Sequence, residues 1–258
     1  MPSRTLALAA AALALQTVAA SAETVAALVG DDWLALIDTA ERRAAKPVRI
    51  SGLSAPVVGL DVRPADGMLY ALAADGTVAT VDPATGKATV RSKLEAMLPA
   101  GVAGAVDFNP VADRMRIIGA DGTSLRANVD DGKVATDGKL RYADTDAHRG
   151  KSPKVTAAAY SNSVKGTKET ALYDLDTANG LLVKQAPPND GILNTIGSVG
   201  GKVTAFDIVA DGQGGNTAWV LVGTTLHKLD LATGAMSSPV RIDGVEGTVR
   251  DIAVLSRG

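Results

Sequence analysis

The feature that most constrains this chain is the stretch from Gly59 to Val90, GLDVRPADGMLYALAADGTVATVDPATGKATV, which divides into four short apolar runs separated by three turn signals. Val57 to Arg63 ends at Pro64-Ala65-Asp66-Gly67, Met68 to Ala73 at Asp75-Gly76, Thr77 to Asp82 at Pro83-Ala84-Thr85-Gly86, and Lys87 to Arg91 closes the unit. Asp-Gly and Pro-x-x-Gly supply the backbone angles that tight reversals between antiparallel strands require. The opening of the unit recurs at Ala105-Val106-Asp107-Phe108, Ala158-Ala159-Tyr160-Ser161, Ala205-Phe206-Asp207-Ile208 and Val249-Arg250-Asp251-Ile252, with spacings of 46, 53, 47 and 44 residues. A period in the forties with four strands per unit is the signature of a β-propeller blade.

The two ends of the chain decide how such a ring closes. Val25 to Val29, Trp33 to Asp38 and Pro47 to Ile50 read as the second, third and fourth strands of a blade without its first, and Thr248 to Leu255 as a first strand without its other three. Joining them predicts an all-β, five-bladed propeller with no open edge at the seam. Six blades are the alternative if Ala105 to Pro153 or Pro187 to Gly201 hides extra strands. Ser92 to Leu98 is the best candidate for a short helix, Arg141 to Lys154 is the longest polar insertion and is expected on a rim, and Trp33 and Trp219 are expected in the core.

Composition narrows the compartment and the partners. Arg4, the apolar run from Leu6 to Leu15 and Ala20-Ser21-Ala22 describe a secretory leader over residues 1–22, cleaved after Ala22, ahead of a single domain over 23–258. A periplasmic or secreted protein is expected. Without Arg4 the chain carries 25 basic against 28 acidic side chains, which favours neither nucleic acid nor an anionic membrane, and no later segment is long and apolar enough to span a bilayer. The absence of cysteine excludes disulfides, thiolate metal sites and a cysteine nucleophile. A monomer that binds a small ligand, a cell-envelope component or another protein is the expectation.

The candidate chemistry is carried by Asp61, Asp107, Asp207 and Asp251, the acid at the third position of four of the five unit openings, where Tyr160 stands in the remaining one. First strands surround the channel of a propeller, so these four are candidate ligands for a cation such as Ca²⁺, which takes several oxygen donors. The competing reading is structural, because side chains leave a first strand toward the neighbouring blades, where an Asp accepts backbone N–H groups and serves as a joint. Asn109, Arg114 and Arg126 are candidate ligand-binding residues on a rim. No catalytic residue is assigned: His148 and His227 are the only histidines, Ser161-Asn162-Ser163 has no recognisable base, Gly212 to Gly215 lacks a dinucleotide-binding context, and aromatics at 3% are too few for sugar stacking platforms.

Gly59-Leu60-Asp61-Val62-Arg63-Pro64, Ala105 to Pro110 with Asp113-Arg114, Gly119 to Thr123 leading to Leu125-Arg126, and Gln185 to Gly191 with Leu193-Asn194-Thr195 together resemble the exported bacterial family labelled domain of unknown function 4394. The likeness spans nearly all of the chain after the leader. It implies a secreted propeller-like domain and brings no activity, cofactor or catalytic residue with it. The segment Lys165-Gly166-Thr167-Lys168-Glu169 departs from the family pattern as an enlarged hairpin. Two functions follow: a non-enzymatic exported binding or interaction module with no cofactor, and a Ca²⁺-dependent hydrolase with a carboxylate-lined channel.

Overall fold

The computed structural model describes residues 23–255, so the leader expected over residues 1–22 lies outside them. Five antiparallel sheets stand around a central axis. The innermost strand of each is, in ring order, Val249–Leu255, Val57–Val62, Gly104–Asn109, Val155–Tyr160 and Val203–Ala210. We number the blades one to five in that order. Blade one is assembled from both ends of the chain: Val249–Leu255 pairs with Thr24–Val29, which pairs with Trp33–Asp38, and two short pieces, Arg43–Ala44 and Val48–Arg49, share its outer edge. The register places Ala27 opposite both Ile252 and Ala35, so the terminal strands close the ring as the sequence predicts.

The ring has five blades, not six. Of the two segments suspected of hiding a sixth, Ile192–Ser198 is the fourth strand of blade four and Arg141–Tyr142 adds a fifth strand to that blade, in parallel with Ile192 and Leu193. The polar insertion is thus partly strand. No α-helix is present among the described residues: the expected helix at Ser92 to Leu98 is instead the end of the outer strand Ala88–Lys93 followed by an irregular turn. Val90 and Ser92 pair with Ala79 and Val78, and this pairing outweighs a helix propensity that only Leu94 to Leu98 would have supported.

The core is divided into five clusters, one between each pair of neighbouring blades. In the second and third strands of blade one, Val25, Ala27, Val29, Ala35 and Ile37 pack against Trp219 and Leu221 of blade five, whereas Ala26, Leu28 and Leu34 pack against Leu60 and Leu69 of blade two. Strict alternation therefore buries both faces, which is why the inner strands read as continuous apolar runs rather than as an alternating pattern. The outer strands read differently because one edge meets solvent: Ala88–Lys93 and Met236–Arg241 are mostly exposed. Trp219 is core, as expected. Trp33 is not: it begins its strand at the rim and is 45% exposed.

Turn chemistry follows the sequence. Asp82 accepts from the N–H groups of Ala84 and Thr85, and Asp230 does the same for Ala232 and Thr233. One glycine matters for packing rather than for a turn. A Cβ on Gly59 would lie 2.6 Å from a carboxylate oxygen of Asp251 on blade one and 2.6 Å from Val106 Cγ2 on blade three. Gly59 is where three blades come closest, and we expect Gly59→Ala to cost about 1–3 kcal/mol through overpacking, measured as a lower urea midpoint with unchanged far-UV circular dichroism.

Candidate functional site

The four repeated aspartates lie on the innermost strands and are all at least nine-tenths buried. An innermost strand has no sheet neighbour on its channel side, so its buried N–H groups there need other acceptors. The aspartates supply them across the blade boundaries. Asp251 of blade one accepts from Leu60 N–H of blade two at 2.9 Å, Asp61 from Phe108 of blade three at 2.6 Å, Asp107 from Tyr160 of blade four at 3.0 Å, and Asp207 of blade five from Val254 of blade one at 2.6 Å. Asp61, Asp207 and Asp251 also accept from the N–H of the next residue, Val62, Ile208 and Ile252.

Four of the five blade boundaries thus carry the same carboxylate joint. The boundary between blades four and five does not, because Tyr160 replaces the acid. There the contact moves toward the rim, where Ser163 Oγ donates to the Ile208 carbonyl at 2.8 Å and Asn162 N–H to Asn216 Oδ1 at 2.7 Å.

The joints also converge. Oxygens of Asp61, Asp107 and Asp207 lie within 4.8 Å of one another. Together with Ser163, Lys165 and Gly212 they line a cavity of about 250 Å³ that opens at one end of the channel. Asp251 joins the same buried charge system without being one of the three. Burial, and then the charge of Asp207, holds the Asp61 carboxyl well above the usual range; burial, then Asp61 and Asp207, does so for Asp107. Burial raises Asp251 as well, against the N–H groups of Leu60 and Ile252. Asp207 is pushed up only to about 6, because the N–H groups of Val254 and Ile208 offset part of the burial. The three carboxylates therefore titrate as a coupled set in which each charge opposes ionisation of the others.

The remaining candidates sit elsewhere. Asn109 Oδ1 caps its own turn, accepting from Val111 and Ala112 N–H. Arg114 and Arg126 flank a separate depression with Lys133, on the outer part of blade three. Arg126 is paired with Asp137, and Arg114 donates to the carbonyls of Ala112 and Asp113. So the structure brings the two arginines to one depression, which Asn109, although opposite Arg114 in the strand ladder, does not line. Sequence reasoning missed the cavity wall formed by Ser163 to Lys165. The signal was the enlarged hairpin at that point, which a turn count alone does not aim toward the axis.

The family described as Domain of unknown function (DUF4394) matches residues 33–253. The chain belongs to this family. Among curated proteins none matches. Solved structures similar to this DUF4394 chain include a protein of unknown function from Bacteroides caccae, at 14% identity over 89% of this chain and 76% of the other, with a TM-score of 0.47. Another protein of unknown function, from Bacteroides thetaiotaomicron, gives 14% identity, 75% and 52% coverage and a TM-score of 0.51; a third, an auxiliary nutrient binding protein of that organism, gives 14%, 75% and 52%, and 0.48. The chain spans about half the length of the latter two. At this identity the likeness is one of fold.

Replacing Asp251 with Ala would leave two buried N–H groups without acceptors, those of Leu60 and Ile252. At about 1–3 kcal/mol for each unsatisfied group, Asp251→Ala is expected to lower unfolding free energy by roughly 2–6 kcal/mol, read from urea denaturation. Asp207 gives a pH signature. Its folded pKa of about 6 lies above the unfolded value near 3.9, so its stabilising contribution is complete below about pH 4 and is lost as pH rises through 6. Thermal midpoints of the metal-free protein should fall across that window, and Asp207→Asn should flatten this part of the fall.

Proposed function

We propose that this DUF4394 protein is a non-enzymatic binding module, exported to the periplasm or beyond, whose ligand presents a cationic group to the mouth of the channel. The observation that carries this reading is the convergence of three buried carboxylates on one open cavity. Each of their protein hydrogen bonds comes from an N–H, so all the donors face the acids and nothing in the cluster neutralises them except protons or a bound cation. Hard cations suit such a set. Oxygens on opposite sides of a Ca²⁺ ion lie about 4.6–5.2 Å apart, twice the usual Ca–O distance, so three oxygens all within 4.8 Å of one another are close enough to share one ion. Asp61, Asp107 and Asp207 would supply one oxygen each, while Lys165 and Ser163 on the far wall would face the anionic or polar remainder of a ligand.

A second reading, a Ca²⁺-dependent hydrolase, draws on Asp107. Its second oxygen has no hydrogen-bond donor from the protein, unlike both oxygens of Asp61 and Asp207, and would be free to take a proton from water. The binding-module reading is preferred because the cavity wall adds no histidine, and its further carboxylate, Asp211, caps its own turn by accepting from Gln213 and Gly215 N–H.

Binding and protonation compete for the same oxygens, which fixes the sign of the pH dependence. Calorimetric titration of the chelator-treated protein with CaCl₂ should give a saturable site at pH 7.5, release protons on binding, and weaken at least tenfold by pH 5. Asp107→Asn should remove the site while sparing the fold, since its remaining carbonyl oxygen can still accept from Tyr160 N–H. No heat and no thermal shift with Ca²⁺, Mg²⁺ or a small amine would defeat the reading.

A further inference from the structure

Blade four carries a second buried acid that the channel does not explain. Asp174, in the strand Leu172–Asp176, has no exposed surface, and neither of its oxygens has a hydrogen-bond partner in the protein. Gln185, in the strand Leu181–Gln185, is 1% exposed and its Oε1 is likewise unpartnered, while its Nε2 donates to the Pro188 carbonyl at 2.5 Å. These two strands pair with Asp174 opposite Val183 and Leu172 opposite Gln185. Leu172 and Val183 both face blade three, so Asp174 and Gln185 share that face as diagonal neighbours. Two side chains with unpartnered acceptors thus share one buried face as diagonal neighbours.

No neighbouring cation is hydrogen-bonded to them. Arg116 of blade three, 1% exposed, points into the same seam, but its donors go to Tyr160 Oη, Ser124 Oγ, Asp137 and Asn189 Oδ1. Its charge is met by Asp137 at 2.5 Å, a carboxylate shared with Arg126. The other acids on the seam offer no cation either: Asp176 accepts from Tyr142 and from Lys154 N–H, and Asp107 accepts from Tyr160 N–H through one oxygen.

We propose that Asp174 is carried in the folded protein as a neutral carboxylic acid that donates its proton to Gln185 Oε1, making the seam between blades three and four an alkali-sensitive joint of the ring. One proton pairs one Asp174 oxygen with Gln185 Oε1, turning an acceptor into the missing donor, and leaves the other Asp174 oxygen as an uncharged carbonyl. Burial pushes the Asp174 carboxyl up to about 8, with Arg116 opposing the rise. Ionisation returns unpaired acceptors and a buried charge to an interface where Arg116, with four of its five N–H groups engaged elsewhere, makes no hydrogen bond to them.

The folded pKa lies above the unfolded one, so the stabilising contribution is whole below about pH 4, declines as pH rises, and is gone above about 8. Asp174→Asn is the decisive variant, because its Nδ2 group donates to Gln185 as the protonated acid does but cannot ionise. The thermal midpoint of the wild type should fall relative to that of Asp174→Asn by more than about 5 °C between pH 4 and 8, and the difference should stay level above 8. A carboxyl ¹³C resonance assigned to Asp174 should titrate near 8 in the wild type. Parallel midpoint curves, or a carboxyl carbon titrating near 4 as one solvated by internal water would, overturns the proposal. The resonance decides the matter on the wild type alone if the variant fails to fold.

Discussion

Everything in this ring depends on how the innermost strands satisfy their channel-side edge. A propeller blade ends at the axis with a strand that has no sheet neighbour there, and the N–H groups along that edge are buried. Asp61, Asp107, Asp207 and Asp251 each reach from one blade to such an N–H on the next. The interaction that pairs the backbone also fastens neighbouring blades, so strand satisfaction and ring assembly are one event. Gly59 shows how tight this is, since its missing side chain leaves the space in which the Asp251 carboxylate reaches Leu60.

Placing the joints on the axis has an electrostatic consequence. Acids repeated around a five-fold ring point toward a common centre, and burial there makes each costly to ionise in the presence of the others. The fold thereby builds a cluster that holds protons or a cation as a by-product of holding itself together. Structural joint and cation site are therefore not rival descriptions of these residues. A carboxylate oxygen has two lone pairs, and an N–H bond occupies one of them.

The symmetry breaks at blade four, and most of the unusual chemistry is found on or beside it. Tyr160 takes the place of an acid, and its hydroxyl accepts from Arg116. The hairpin after it runs over the channel mouth and brings Ser163 and Lys165 to the cavity. A fifth strand thickens its outer edge, and Asp174 and Gln185 are buried in its seam with blade three. A repeat that departs from its siblings has been released from the common structural duty, and this is where new contacts can accumulate.

What the sequence determined by itself was local or periodic. The Asp-Gly and Pro-x-x-Gly turns, the spacing of the unit openings and the complementary terminal fragments are properties of near neighbours along the chain, so the blade count and ring closure were legible in them. The structural role of the aspartates was legible too, because repetition in four units is what a joint requires. Only the tertiary structure could decide what lies between blades. That Asp61, Asp107 and Asp207, up to 146 residues apart, converge within 4.8 Å depends on the tilt of strands around an axis that no single blade encodes. Asp174 reads in sequence as one more strand residue among Tyr173 and Leu175; its lack of a partner is a property of the face it shares with Gln185 and of an arginine on another blade whose hydrogen bonds go to other groups. Trp33, predicted as core from its apolar run, is exposed because strand position on the rim, rather than side-chain type, decides burial there.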